Sequence, residues 1–169
     1  QCAHRPRHRA RHAVTISIPE AGIKQSVTTD AKGRAEVTIP VKKLNYWTPE
    51  NPKLYTVEIA SAVDKITDRI GFRTIETKGQ DILLNGKSVF LRGISLHDEN
   101  PLIPGRLRGQ GEMRMMLPWA KENNCNYVRL AHYTHSEEMV RLADEMGLMV
   151  WAEVSVYRTI SWGNPINSP

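Results

Sequence analysis

The sequence has few cysteines and no long apolar run, and these two shortages exclude several classes of protein. Only two of its 169 residues are cysteine, Cys2 and Cys125, which is too few for a disulfide framework or a cysteine-based zinc site. No apolar stretch approaches the roughly 18 residues of a membrane span. No charged start leads into an apolar run, so we predict neither a transmembrane segment nor a signal peptide in this chain, and no compartment is assigned.

The body of the chain also lacks an excess of either charge. Of the net charge of +5, four charges come from Arg5, Arg7, Arg9 and Arg11. A nucleic-acid-binding domain carries its basic excess on a folded face, whereas this excess lies in a run of Arg, His and Pro without periodicity. We therefore predict no nucleic-acid partner and expect residues 1–13 to be a disordered basic tail. The chain starts with glutamine rather than methionine, so we expect its first residue not to be a natural beginning.

Short strands are predicted in the first half of the chain. Apolar residues make up 40% of the sequence, enough for a hydrophobic core. Between residues 14 and 72, apolar and polar residues alternate in segments typical of antiparallel strands: VTISI, SVTT, AEVTIPV and LYTVEIAS. Four or five strands are fewer than the usual seven of a sandwich, so the domain is either unusually small or has lost its first strands. We favour the loss.

A hairpin is predicted after this β-rich region. The segment DILLNGKSVFLRG contains two apolar runs joined by Asn85-Gly86, the strongest short signal for a hairpin turn. We expect its second arm to continue through LRGIS.

Helices then alternate with apolar strands. A helix is predicted from Glu112 to Asn123, with Pro118 expected to kink it or to move its start to a later residue. A second helix is predicted between a Ser136 cap and a Gly147 stop. The apolar strands YVRLAH and LMVWAEV flank the second helix. This alternation predicts parallel β structure covered by helices, either a doubly wound sheet or a (β/α)₈ barrel.

Five segments, in this order along the chain, resemble glycoside hydrolase family 2, the group of β-galactosidases and β-glucuronidases. They are WTPENPKLYTVEI, GFRTIE, LLNGKSVFLRGISLHDENP, NYVRLAHYTHSEEMVRLADEMGLMVWAEV and ISWGNP. The resemblance covers about residues 14–165. It implies an α+β chain in which an incomplete immunoglobulin-like β-sandwich, residues 14–73, precedes the first three strands of a (β/α)₈ TIM barrel, residues 74–169.

The resemblance also implies a reaction. Retaining glycosidases need two carboxyl groups about 5–5.5 Å apart, one as acid/base and one as nucleophile. In family 2 the acid/base glutamate follows an Asn after the fourth barrel strand, and the nucleophile lies at the seventh. No Asn-Glu pair occurs in this sequence, which reaches only the third strand. We therefore expect a fragment of an enzyme that hydrolyses terminal β-galactosides or β-glucuronides, without either catalytic glutamate.

One wall of the family's sugar pocket can be carried over to this chain. The matching positions are predicted to bind a carbohydrate substrate and are His97, Asp98, Glu99, Arg129, His132 and Glu153. They lie at the C-terminal ends of predicted barrel strands, where this architecture holds its sites. Histidines and carboxylates suit sugar hydroxyls, because a hydroxyl both donates and accepts hydrogen bonds. No cofactor is expected, although the galactosidase branch uses a divalent cation, for which Glu153 is the one candidate ligand.

Rival interpretations use the same residues. A non-catalytic carbohydrate-binding or interaction module could use the His97 and His132 wall without turnover. An independent small hydrolase would need Glu99 and Glu153 as acid and nucleophile. The spacing of His132 and His135 invites zinc, but no third ligand has a defined place. A third of a barrel leaves an open sheet edge, which favours oligomerisation.

Overall fold

The computed structural model describes residues 11–41 and 43–155, and these separate into two compact units. The first unit is formed by the described residues up to 45 together with residues 54–72. The second unit is formed by residues 46–53 together with the described residues from 73 onward. Residues 46–53 therefore interrupt the first unit in sequence but belong to the second.

The first unit is a four-stranded antiparallel sheet with the strand order β2-β1-β3-β4. Its strands are β1 (Ala13–Ile18), β2 (Ile23–Thr28), β3 (Tyr55–Ser61) and β4 (Lys65–Ile70). A single 3-10 turn, Pro19–Ala21, joins β1 to β2. The small core of the unit is formed by Ile18, Tyr55 and Val57. Its described residues contain one sheet, whereas a sandwich has two.

Three of the four strands predicted in this unit are confirmed, and one prediction is wrong. VTISI, SVTT and LYTVEIAS lie within or overlap β1, β2 and β3, but residues 35–41 of AEVTIPV form no strand. Alternation indicates that one face is suited to burial, but a strand also needs a hydrogen-bonding neighbour. No described strand pairs with residues 35–41. The unpredicted strand β4 pairs with β3 along its length.

The second unit contains a small antiparallel sheet with the strand order β5-β6-β7. Its strands are β5 (Ile75–Lys78), β6 (Asp81–Leu84) and β7 (Lys87–Ser88). The hairpin turn at Asn85-Gly86 is confirmed, and both residues have positive φ, 52° and 76°. Glycine adopts this conformation without steric cost, and Asn is among the residues that tolerate it best.

The second arm of this hairpin is shorter than predicted, because it ends at Ser88 rather than running through LRGIS. The side chain of Asn126 holds the residues that follow. The Arg92 N–H donates to Asn126 Oδ1 at 2.8 Å, and Asn126 Nδ2 donates to the Phe90 carbonyl at 2.9 Å. Asn126 is buried. Its amide therefore satisfies backbone groups that a continuing hairpin would have paired.

A three-stranded parallel sheet and two helices complete the unit. The strands are β8 (Gly93–Leu96), β9 (Tyr127–Leu130) and β10 (Met149–Ala152), in the order β10-β9-β8. The helices are α1 (Gln110–Glu122) and α2 (Glu137–Glu145). Both strand pairings are parallel, which confirms the predicted parallel structure. The largest fully buried side chains of the core between sheet and helices are Leu117, Leu130, Met139, Leu142, Leu148 and Val128.

Helix α1 begins at Gln110 and continues through Pro118, so the alternative of a later start is wrong. Proline removes the N–H that would bind the Arg114 carbonyl. Because Arg114 is exposed, water can satisfy that carbonyl. The cap predicted for α2 is confirmed, since the Ser136 hydroxyl accepts from the Glu138 N–H at 3.1 Å. Neither described helix is long and apolar enough to cross a membrane.

The parallel sheet has two different faces. Alternate residues such as Val128 and Leu130 on β9 are buried in the core beneath the helices. Tyr127 and Arg129 point to the opposite face, where Trp151 of β10 shares a row with Arg129 and is 57% exposed. This second face is uncovered among the described residues, and it carries Arg129 of the candidate site.

Candidate functional site

An ion pair at the C-terminal ends of β9 and β10 forms the centre of the site. Arg129 lies on β9, and Glu153 directly follows β10. The guanidinium Nε and Nη2 of Arg129 each lie 2.7 Å from Glu153 Oε1. Both side chains are partly buried, with 36% and 20% of their surface exposed. The charge of Arg129 is therefore compensated within the site, and the Glu153 carboxylate is fixed in one orientation.

His132 joins this pair from the turn that follows β9. Its Nδ1 lies 3.2 Å from Arg129 Nη2 and 3.4 Å from Glu153 Oε2. A neutral ring can accept from the guanidinium through Nδ1, whereas a protonated ring donates to the carboxylate. The peptide bond between Ala131 and His132 is cis.

His97, from the turn after β8, brings the first parallel strand into the same site. Its ring lies edge-on to the His132 ring, with the two centroids 5.3 Å apart. Four of the predicted residues, from the ends of three adjacent strands, therefore meet: His97, Arg129, His132 and Glu153. They present imidazole nitrogens and carboxylate oxygens on a partly exposed surface, a combination that can bind several hydroxyl groups at once.

Asp98 and Glu99, the other two predicted residues, have different surroundings. Asp98 is buried, and its Oδ2 accepts from Arg106 Nε at 3.1 Å. Its backbone N–H donates to the hydroxyl of Tyr133 at 3.1 Å. Glu99 is exposed and forms an isolated backbone bridge with Arg106. Both residues therefore lie in a loop held by Arg106, beside the four-residue cluster.

Tyr133 and Arg106 contribute to the site and were not predicted. The Tyr133 ring is stacked on His135, with centroids 5.2 Å apart, and is edge-on to His97 at 6.2 Å. The guanidinium carbon of Arg106 lies 4.8 Å from the centroid of the same ring. Tyr133 directly follows the predicted residue His132, so its place in the sequence was a usable signal. Arg106 lies in a loop without a periodic pattern, so nothing in the sequence indicated that it would reach the site.

Tyr127 lies on the same uncovered face of the sheet, where burial and the charges of Arg129 and Glu153 affect the pKa of its hydroxyl. Burial raises the pKa of the Tyr127 hydroxyl above its ordinary value, because the charged phenolate is poorly solvated there. The positive charge of Arg129 lowers this pKa, and the negative charge of Glu153 raises it. Gly93 lies beside this ring in the neighbouring strand, where a Cβ would collide with the ring and carbonyl of Tyr127.

The described residues do not form a metal site. No group of three His, Cys, Asp or Glu side chains in residues 11–41 and 43–155 is placed to hold a metal ion. His135 Nε2 lies 3.1 Å from the Ala131 carbonyl oxygen, so this nitrogen is already occupied. The Glu153 carboxylate faces the guanidinium of Arg129, whose positive charge opposes a cation at the same oxygens. A divalent cation on Glu153 therefore does not fit the arrangement seen here.

Comparisons with known proteins place the chain in a family. Residues 75–167 match the model of the TIM barrel domain of glycosyl hydrolases family 2. Residues 5–73 match a second model, glycosyl hydrolases family 2. The barrel match alone covers more than half of the chain. The chain belongs to glycoside hydrolase family 2. The resemblance inferred from the sequence motifs is thereby confirmed.

Family 2 relatives match the chain over most of its length. The β-galactosidase of Arthrobacter sp. (strain B7) is 32% identical over 92% of this chain. A β-galacturonidase from Eisenbergiella tayi, solved with bound galacturonate, is 29% identical with a TM-score of 0.70 over 85% of the chain. A β-glucuronidase from Faecalibacterium prausnitzii is 28% identical with a TM-score of 0.71 over 86% of the chain.

The chain corresponds to a small part of these family 2 relatives. It spans 16% of the Arthrobacter β-galactosidase, 27% of the Eisenbergiella enzyme and 24% of the Faecalibacterium enzyme.

Proposed function

We propose that this chain is the part of a retaining β-glycosidase that carries the later strands of an immunoglobulin-like sandwich and the first three strands of a TIM barrel. The order of the two family matches supports this assignment. Three parallel strands with helices on one face are the expected start of such a barrel. The parent enzyme would hydrolyse a terminal β-linked galactoside or glucuronide, with both catalytic glutamates supplied by other segments.

The observation that carries this proposal is the convergence of His97, Arg129, His132 and Glu153 at the C-terminal ends of β8, β9 and β10. TIM-barrel enzymes place their sites at this end of the strands. In our proposal the two imidazoles and the Glu153 carboxylate bind hydroxyls of the terminal sugar. Arg129 holds the carboxylate in place.

A second candidate function is a carbohydrate-binding module without turnover. It is supported by the contacts of Glu153, whose carboxylate is engaged by Arg129 and His132. A carboxylate held by a guanidinium is a weaker nucleophile than a free one, because the positive charge stabilises its ground state. The same contacts argue against an independent hydrolase that uses Glu99 and Glu153.

Hydrolysis of chromogenic β-galactoside and β-glucuronide by the purified chain tests for an independent hydrolase, because both candidate functions predict no turnover by this chain alone. We expect no turnover above the buffer rate, and no change with Glu99→Gln or Glu153→Gln. Turnover that disappears in either variant would instead make the chain a minimal glycosidase. The variant Glu145→Gln is a matched control, because it removes a partly exposed glutamate that is paired with an arginine and lies at the end of α2, outside the four-residue cluster.

Sugar binding is tested separately by NMR. We expect methyl β-galactoside or methyl β-glucuronide to shift the imidazole signals of His97 and His132. Signals of His12, which lies before β1, serve as the internal control. If saturating sugar shifts none of the imidazole signals of the folded chain, the proposed sugar-binding wall is refuted.

A further inference from the structure

The hydroxyl of Tyr133 connects the turns that follow two different strands. Tyr133 is bonded through the chain to His132, at the end of β9. Its hydroxyl accepts the backbone N–H of Asp98 at 3.1 Å, and Asp98 is bonded to His97 at the end of β8. The two histidine rings meet at 5.3 Å. One hydrogen bond therefore closes a ring of contacts that contains both imidazoles.

Arg106 contacts both residues of this hydrogen bond, Asp98 and Tyr133. Its Nε donates to the buried carboxylate of Asp98 at 3.1 Å, and its guanidinium lies 4.8 Å from the centroid of the Tyr133 ring. The backbone bridge between Glu99 and Arg106 brings this side chain back toward the strand end. Asp98 is 7% exposed, so its carboxylate is directed into this contact rather than toward solvent.

We propose that Tyr133 and Arg106, acting through Asp98, are positioning residues that fix the separation and orientation of His97 and His132. This inference rests on the proposed function, because it assigns a task to the sugar-binding wall. Asp98 then acts on the sugar indirectly, through the loop. The physical reason is preorganisation: two imidazoles that are already in place lose little freedom when a sugar binds to both.

The variant Tyr133→Phe isolates the hydroxyl, since it leaves the ring stack with His135 and the contact with Arg106 in place. We expect the nuclear Overhauser effect between the His97 and His132 ring protons to weaken, because the two turns are no longer connected. We also expect the dissociation constant for methyl β-galactoside to rise about three- to tenfold, the size of one lost neutral hydrogen bond. The control is Tyr46→Phe, at a tyrosine that is 53% exposed in the same unit.

A second pair of variants keeps the inference testable if Tyr133→Phe does not fold. Arg106→Gln removes the ion pair and the charge over the ring, whereas Arg106→Lys keeps the charge without the planar guanidinium. We expect the loss of the inter-histidine contact in Arg106→Gln and its partial recovery in Arg106→Lys. A residue with a merely structural role would change the unfolding midpoint without this recovery.

The two proposals fail in different ways. If the wild-type chain binds neither methyl glycoside, the proposed function fails, whereas the contact between the histidine rings still tests the positioning role. If folded Tyr133→Phe and Arg106→Gln both retain the wild-type contact between the rings, the positioning role is overturned, whatever the sugar affinity.

Discussion

The two ends of the parallel sheet β8–β10 differ in how their polar groups are used. At the N-terminal ends of the strands, polar groups join distant segments around a fully buried tryptophan. At the C-terminal ends, they meet in a partly exposed cluster. In barrel enzymes the first end serves stability and the second holds the site, and we expect the same division in this chain.

The N-terminal end is closed by residues 46–53, which we call the brace segment. Its Trp47 has no exposed surface, and its indole Nε1 donates to the Asp144 carbonyl oxygen at 2.8 Å. The Asp144 carboxylate pairs with Arg73 at 2.6 Å, and the Arg73 guanidinium lies 4.2 Å from the centroid of the Trp47 ring. A tryptophan, a cation and a helix end thus form one packed group.

A second set of contacts holds the middle of the brace segment, at Pro49. The ammonium of Lys121, near the end of α1, donates to the carbonyls of Pro49 and Gly147, both at 3.3 Å. Gly147 has φ of 72°, and a Cβ there would collide with the Pro49 carbonyl. Only glycine meets both requirements, so this residue is a helix stop and also allows close backbone contact.

We expect the replacement of Trp47 by alanine to lower the free energy of unfolding more than the other changes at the two ends of the sheet. The change removes a fully buried ring, its hydrogen bond and the contact with Arg73, and truncation of a buried tryptophan costs about 3–5 kcal/mol. Urea unfolding monitored by circular dichroism measures the free energy of unfolding. The control Tyr46→Ala alters an adjacent residue that is 53% exposed, and we expect only a small change in the free energy of unfolding. Equal effects in the two variants would contradict a stabilising role for this end.

The Glu153→Gln variant tests the opposite end. The Arg129–Glu153 pair is partly exposed, so its loss should lower the free energy of unfolding by no more than about 1 kcal/mol. Sugar affinity should fall about tenfold or more, because a charged hydrogen-bond acceptor is lost. Titration with methyl β-galactoside and urea unfolding of the same sample separate the two quantities. A large loss of stability with unchanged affinity would reverse the assignment of the two ends.

The smallest expected effect is on the ionisation of Tyr127, which reports on the ion pair locally. We expect its pKa to lie above the ordinary value of 10.0, to fall in Glu153→Gln and to rise further in Arg129→Gln. Ultraviolet absorbance during alkaline titration measures this, with Tyr127→Phe as the reference that identifies the signal. Because the folded chain holds this proton more tightly, the stabilising contribution is complete below the unfolded pKa and is lost as pH rises through the folded pKa. An unchanged Tyr127 pKa in both variants would show that the ion pair does not act on this residue.

Sequence patterns predicted those parts of the fold that local chemistry decides. The Ser136 cap, the Gly147 stop and the Asn85-Gly86 turn each depend on a few neighbouring residues, and all three were predictable. The strand proposed for AEVTIPV failed because pairing depends on a distant neighbour. The hairpin arm was predicted too long because Asn126, far along the chain, replaces its backbone partners.

The candidate site was partly predictable from the resemblance to family 2, which grouped His97, Arg129, His132 and Glu153 in advance. Their position at the C-terminal ends of parallel strands agrees with this grouping, because such ends meet at one edge of a sheet. The contacts of Asp98 could not be predicted, because its partner Arg106 comes from an irregular loop whose path no periodicity describes. The roles of these residues in sugar binding stay predictions until the measurements above are made.

The long sequence distance between the brace segment and its partners has a consequence for synthesis on the ribosome. Trp47 is made 97 residues before Asp144, so it emerges long before the helix end that will bury it exists. Strands β3 and β4 of the first unit are translated in that interval. During this time the indole is an exposed apolar group on a nascent chain, a suitable target for a chaperone. The N-terminal end of the sheet can therefore close only after both helices have been made.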